Sequence, residues 1–204
     1  MNPYVSTIIF SAPMIHALLA NRKSQTRRLT SSRWLSLKER LEGGQPCLLW
    51  VREAWRLDSL TVESAGVVFR ASPSDLPRKI LTSTLANAKL TSAREGWRSP
   101  LHMPRWASRL TLELLDIRVQ KLQELSEADA IEEGVECAPG GNGWRNYQSP
   151  ASDRPFDKPV DSYRSLWLTL HGGEAWSQNP VIVAIRFRTH ARNVDELIQA
   201  REEE

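Results

Sequence analysis

A lysine and a threonine three residues apart are the first candidates for chemistry in this sequence. Lys23 and Thr26 lie in the segment NRKSQTRR, directly after an apolar stretch. A helical continuation or a tight turn would put both side chains on one side of the chain. A lysine can act as the base for a hydroxyl when burial or neighbouring cations lower its pKa, and several arginines lie nearby. The alternative is a helix end whose cations interact with the helix dipole, with Thr26 as a turn residue.

Arginine dominates the basic residues of the chain. The 27 basic residues are 21 arginines and six lysines, and the sequence also contains eight tryptophans. The net charge is +3, but the last twelve residues contribute −4, so residues 1–192 carry about +7. Because a guanidinium group binds phosphate bidentately and stacks on a base, this composition indicates a nucleic-acid or nucleotide partner. An arginine-biased surface without such a partner is the alternative.

Several polar and aromatic residues are candidates for a binding cleft. Glu53 ends a predicted strand and could line the cleft, or it could pair with Arg52 or another nearby basic residue. Trp55, Trp97 and Trp106 lie outside the clearest apolar stripes, so one of them could stack on an unpaired base instead of packing in the core. The predicted nucleic-acid or substrate-binding residues are Arg27, Arg28, Arg33, Glu53, Trp55, His102, Arg105 and Trp106.

Hydrophobic periodicity predicts the elements that position these residues. Strands are predicted over residues 6–10, 47–52, 66–70, 108–121 and 180–188. Helices are predicted over residues 13–21 and 161–170, and a third begins at Ser126 as its N-cap and stops near Gly134. The glycine- and proline-rich residues 137–158 are predicted to form a loop.

The order of these elements predicts an α+β fold. It shows no regular βαβ alternation, so a doubly wound parallel sheet is not expected and a small, partly open barrel is favoured. We expect a single domain over residues 1–192, with insertions near 71–98 and 137–158, followed by a frayed acidic tail over 193–204.

Composition also predicts where the protein works and what it does not need. The sequence has neither an apolar run long enough to span a membrane nor a basic segment of the kind that opens a secretion signal. Two cysteines, Cys47 and Cys137, cannot make a disulfide framework or a zinc site, and the four histidines are dispersed. We therefore expect a cytoplasmic protein with no membrane partner, no metal and no cofactor.

Four motifs in order resemble one family. RKSQTRR, LLWVREAW, HMPRWASR and LSEADAIEEGV are together similar to phage or prophage ASCH-domain proteins of the PUA-like superfamily, over segments between residues 6 and 188. The resemblance implies a small mixed β-barrel with flanking helices and a large insertion. It also implies a cleft for a modified nucleoside or a nucleic acid, RNA in preference to DNA.

The resemblance further implies three catalytic roles. Some small bacterial members are N4-acetylcytidine amidohydrolases that use a lysine, a threonine and a glutamate. Their G-R-K-T-x-T-x-R run places the lysine on Lys23, the nucleophilic threonine on Thr26 and an arginine on Arg28. Counting from the LSE segment places the glutamate on Glu133, whereas the residues alone favour a solvent-exposed helix-end acid beside Glu132.

Three functions stay open on this basis. The first is an amidohydrolase that removes an acyl group from N4-acylated cytosine, and the second is a non-catalytic RNA- or DNA-binding phage regulator or counter-defence module. The third is a ribonuclease that uses the same basic cleft. Asn21 and Ser24 differ from the glycine and threonine of the small enzymes, and the chain is much longer than theirs.

Overall fold

The computed structural model describes residues 2–61, 64–72, 78–81, 96–149 and 154–203, which contain eight strands and five helices. The strands are β1 (Tyr4–Ile9), β2 (Gln25–Leu29), β3 (Cys47–Arg52), β4 (Trp55–Leu60), β5 (Ser64–Phe69), β6 (Arg78–Leu81), β7 (Thr111–Lys121) and β8 (Val181–His190). The helices are α1 (Ala12–Leu19), α2 (Ser32–Glu42), α3 (Glu127–Glu132), α4 (Pro159–His171) and α5 (Val194–Glu202).

The chain forms two compact units. Unit 1 contains residues 1–19, 46–113 and 189–204, and unit 2 contains residues 20–45 and 114–188. The chain passes from unit 1 to unit 2 within β7. Each unit is therefore built from segments that are distant in sequence.

Unit 1 contains two sets of paired strands. β1 lies parallel to β3, and β3 is antiparallel to the start of β7. β4, β5 and β6 form a separate antiparallel sheet in that order. Trp55, Phe69 and Met103 belong to one buried cluster, and α5 contributes Val194 and Leu197 to another.

Unit 2 carries strands in the order β7-β8-β2, with β2 antiparallel to β8. Helices α3 and α4 contribute to one buried cluster with β8, in which Tyr163 and Trp167 pack with Ile182 and Ala184. Because directly paired residues share a face of the sheet, Arg27, which pairs with Ala184, faces this helical layer.

The α+β class predicted from the sequence is confirmed. Within the described ranges, the strands form two sheets and neither closes into a barrel. β3, β7, β8 and α4 form close to where periodicity predicts them. The N-cap of α3 is also as predicted, because the Ser126 hydroxyl accepts the Asp129 N–H at 3.1 Å and Gly134 follows with φ 86°.

Four parts of the chain differ from the sequence expectations. The helical continuation or tight turn expected around Lys23 is absent, because α1 ends at Leu19 and the strand β2 begins at Gln25. α2 and β4 were not predicted. The acidic tail is a helix over residues 194–202, because Asn193 and Glu196 form a capping box and its apolar face is buried.

Two predicted insertions are described only in part. Residues 73–77 and 82–95 of the first lie outside the described residues, and residues 78–81 of it form β6. The second, over 137–158, is described except for residues 150–153 and contains isolated bridges that join Trp144 to Cys137 and to Phe156. Among the helices that the structure describes, each is too short or too polar to cross a membrane.

Candidate functional site

The buried pair of Lys23 and Glu133 is the centre of the candidate site. The Lys23 amine donates a hydrogen bond to Glu133 Oε2 at 2.9 Å and another to the Glu133 backbone carbonyl at 2.8 Å. Lys23 is 3% exposed and Glu133 is 6% exposed. Glu133 is therefore a buried partner of Lys23 and not the solvent-exposed acid that the residues alone also allowed.

Backbone hydrogen bonds hold Lys23 in place. It lies in the segment between α1 and β2, and the next residue, Ser24, donates its N–H to the Glu132 carbonyl at 2.9 Å. The Ser24 carbonyl in turn accepts the N–H of Phe187 on β8 at 2.9 Å. The segment is thus fixed to the end of α3 and to β8, and these contacts direct Lys23 to the C-cap residue of α3.

Arg27 occupies the other carboxylate oxygen of Glu133. Its Nη1 donates to Oε1 at 3.1 Å, and its Nη2 lies 3.1 Å from Asp129 Oδ2. The guanidinium also lies 5.8 Å from the ring centroid of Tyr163. Arg27 was predicted to contact nucleic acid or substrate, but it is 2% exposed and its charge is already matched by two carboxylates.

Asp129 extends the cluster towards the surface. Its Oδ1 accepts hydrogen bonds from Gln25 Nε2 at 3.1 Å and from Arg118 at 2.8 Å. Burial alone would raise the pKa of Asp129. The hydrogen bonds from Arg118, Gln25 and the Ser126 N–H, together with the charge of Arg27, outweigh burial and hold that pKa well below its usual range.

The surroundings of Lys23 lower its pKa. Burial lowers the pKa of Lys23, Glu133 opposes the change, and the charges of Arg28 and Arg27 add to it, so that the pKa lies below the ordinary value of 10.5. Burial and the charge of Glu133 raise the pKa of Tyr163 well above its ordinary value. A lysine with a lowered pKa is suited to accept a proton.

Thr26 lies on β2, between two residues of the cluster. It is 1% exposed and pairs with Ile185 on β8. Because side chains alternate along a strand, Thr26 leaves β2 on the face opposite to that of Gln25 and Arg27. The structure brings Lys23, Arg27 and Glu133 together and places Thr26 beside them in the chain but on the other face of the strand.

Arg28 and Arg33 are the remaining basic candidates of unit 2. Arg28 is half-buried. The pKa of His171 is lowered mainly by the burial of that histidine and further by the charge of Arg28. Arg33 is exposed, and its guanidinium lies 4.5 Å from the ring centroid of Trp34. These two arginines are more accessible to a phosphate than Arg27.

The unit 1 candidates Glu53, Trp55 and Trp106 make internal contacts. Glu53 is 2% exposed and receives two hydrogen bonds from Arg109, at 2.8 and 2.9 Å. Burial raises the pKa of Glu53, and Arg109 opposes that change. Trp55 is buried in the core, where the half-buried Trp106 packs edge-on against it at 6.1 Å between ring centroids.

Arg105 and His102 complete the predicted set in unit 1. Arg105 is half-buried, and its Nε donates to Asp195 Oδ2 at 3.1 Å, so it anchors the first turn of α5. His102 is exposed and lies in a short turn. Arg105 is therefore engaged with a carboxylate, whereas His102 faces solvent.

Sequence reasoning missed three members of the cluster: Asp129, Gln25 and Arg118. Asp129, three residues after the predicted N-cap Ser126, was not among the predicted site residues. It lies four residues before Glu133, and that spacing places both side chains on one helix face. The spacing was a usable signal, whereas nothing local to Gln25 or Arg118 predicts their contacts.

Similarity to known proteins assigns no function to this chain, so the buried cluster is the main evidence for its function. Over the described part of the chain, no group of three or more His, Cys, Asp or Glu side chains could hold a metal ion. No known protein family matches the sequence, and no curated protein or solved structure matches it significantly. Fold and site together define a mixed α+β protein with a buried Lys–Glu–Arg–Asp cluster.

Proposed function

We propose that unit 2 hydrolyses the amide bond of an N4-acylated cytosine nucleoside. The observation that carries this proposal is the 2.9 Å hydrogen bond between the buried Lys23 amine and Glu133 Oε2. A lysine amine whose pKa is lowered by burial can, once deprotonated, take a proton from a nucleophile and return it to a leaving amine, and the Glu133 carboxylate holds it in place. The substrate class comes from the resemblance to the small amidohydrolases.

The resemblance, and not the geometry, assigns Thr26 as the nucleophile of the proposed reaction, because its side chain leaves β2 on the face opposite to Arg27. Its hydroxyl oxygen attacks the acyl carbonyl carbon while its proton passes to Nζ of Lys23. The bond between the acyl carbon and N4 then breaks, and the leaving cytosine amine takes that proton. Water finally hydrolyses the acyl ester on Thr26, which releases the carboxylic acid and restores the hydroxyl. Glu133 holds the Lys23 amine throughout.

A second function, nucleic-acid binding without catalysis, is favoured by the position of Thr26. Its side chain leaves β2 on the face opposite to that of Arg27 and pairs with Ile185. Under this alternative the cluster is structural, and Arg28 and Arg33 bind phosphates, which fix position without reading bases.

The experiment is to incubate the protein with N4-acetylcytidine and, separately, with labelled single-stranded RNA, and to separate the products chromatographically. We expect equal amounts of cytidine and acetate from the wild type and none from Lys23→Met. Lys38→Met is the matched control, because Lys38 is partly exposed on α2 and pairs with Glu42. RNA binding with no turnover supports the second function, and RNA fragments support a ribonuclease.

A further inference from the structure

An exposed tryptophan in unit 1 has two arginines near its ring. Trp97 is 43% exposed, and its ring centroid lies 5.6 Å from Cζ of Arg56 and 5.8 Å from Cζ of Arg70. The next residue, Arg98, forms an isolated bridge with Trp55, in which its N–H donates to the Trp55 carbonyl at 2.8 Å. The backbone beside the exposed indole is therefore tied to the start of β4.

The charge around this indole is only partly balanced. Arg70 is exposed and has no ion-pair partner among the residues that the structure describes. Arg56 has one acidic neighbour, since its Nη2 lies 3.9 Å from Asp58 Oδ1, while its buried Nε donates no hydrogen bond within the described ranges. Two guanidinium groups thus lie at an exposed aromatic ring, and one carboxylate lies beside one of them.

We propose that Trp97, Arg56 and Arg70 form a binding surface for single-stranded nucleic acid. An unpaired base would stack on the Trp97 indole, because every base has an aromatic face. The two arginines would contact the adjacent phosphates, for which the guanidinium geometry is suited.

The exposed Trp97 ring favours single-stranded nucleic acid over a duplex or an acidic peptide. A duplex already stacks its own bases, so it offers phosphates to the arginines and nothing to the indole. An acidic peptide would likewise use the arginines alone. The surface does not rest on the chemistry of Lys23, because all three of its residues belong to unit 1.

The test measures the affinity of fluorescently labelled single-stranded oligonucleotides by anisotropy over a salt series. Trp97→Ala removes the stacking ring, and we expect affinity to fall about fivefold to 150-fold. Trp97→Phe keeps an aromatic face and should recover most of that loss. Arg56→Gln and Arg70→Gln should each reduce the slope of log affinity against log salt by about 0.7. Arg164→Gln, an exposed arginine on α4, is the matched control and should bind like the wild type.

Other results would contradict the proposed binding surface. Unchanged affinity of Trp97→Ala, or equal competition by duplex DNA, would show that no base stacks on the indole. A loss of binding in Lys23→Met without a loss in Trp97→Ala would place binding in unit 2. Thermal unfolding checks that each variant folds. If Trp97→Ala does not fold, the salt slope of Arg70→Gln decides the matter.

Discussion

Lys23 donates two hydrogen bonds to a single residue, Glu133, one to its side chain and one to its backbone carbonyl. Because Glu133 is the C-cap residue of α3, the second bond satisfies a carbonyl at the end of that helix. The lysine charge also lies at the negative end of the helix dipole. Moving the amine away from the carboxylate would therefore also remove a cap from α3.

The first prediction separates chemistry from packing at Thr26. Thr26→Val keeps the shape of the side chain without a hydroxyl, so an essential nucleophile would be lost and the rate with N4-acetylcytidine should fall by several orders of magnitude. A hydroxyl that only binds should cost about 0.5–1.5 kcal/mol, or roughly tenfold. Thr26→Ser should retain part of the rate, and Lys23→Met should resemble Thr26→Val. Equal rates in Thr26→Val and the wild type would exclude Thr26 as the nucleophile.

The second prediction concerns the coupling of Lys23 and Glu133. Glu133→Gln leaves the buried Lys23 without its carboxylate and Arg27 with Asp129 alone, and should lower the free energy of unfolding by about 3–5 kcal/mol. Lys23→Met should cost less, because Arg27 still neutralises Glu133. The double variant should be more stable than the sum of the two losses predicts, as measured by urea unfolding.

The partly exposed i,i+4 pair of Lys38 and Glu42 is the control for that cycle. Its coupling, measured with Lys38→Met and Glu42→Gln, should stay below about 1 kcal/mol. A coupling between Lys23 and Glu133 no larger than this would contradict their assignment as a tightly held buried pair.

The third prediction is a pH dependence of stability at Asp129. Its pKa is lowered in the folded state, so its contribution is present above the unfolded value, about 3.9, and is lost as the pH falls below it. The difference in unfolding free energy between the wild type and Asp129→Asn should be constant from pH 7 to about pH 5 and should shrink at lower pH. Asp58→Asn, at an exposed site, is the control. A difference that does not change down to pH 2.5 would contradict the role of the carboxylate charge.

The fourth prediction concerns Arg28 and Arg33. If these arginines contact RNA phosphates, replacing both with glutamine should weaken binding and reduce the salt slope by about 0.7 per lost contact. Arg27→Gln should instead lower the melting temperature, because it breaks buried ion pairs with Glu133 and Asp129. Salt-dependent binding and thermal unfolding, measured on the same samples, separate the two effects. An unchanged slope in the double variant would assign Arg28 and Arg33 to surface solubility.

Sequence patterns predicted the elements whose signals are local. β3 is a continuous apolar run of the kind that forms a fully buried strand. The N-cap of α3 depends on Ser126 and Asp129, which are three residues apart. β2 was missed because Gln25 and Arg27 look like surface residues. Their burial is compensated by carboxylates about a hundred positions further along the chain, which no local window contains.

The same reasoning explains what was predictable at the candidate site. The resemblance placed Lys23 and Glu133 in one site, and the structure shows them in contact. Asp129 and Arg118 join through tertiary packing, so their roles could not be predicted from neighbouring residues. α5 was missed because its acidic residues made the segment look like a solvent-exposed tail. Its apolar residues Val194, Leu197 and Ile198 nevertheless pack against β1 and β3.

The division of unit 1 between both ends of the chain affects its folding during synthesis. Asn193 donates hydrogen bonds to the carbonyls of Arg105 at 2.8 Å and Ser108 at 2.9 Å, and α5 covers Leu48 and Trp50. A ribosome adds about 5–20 residues per second, and domains fold as units. Once residue 188 has been synthesised, every residue of unit 2 is present. Unit 1 contains the first strand to emerge but is complete only when residues 189–204 have been added. A chain stalled before that segment would expose Leu48 and Trp50 to chaperones and proteases.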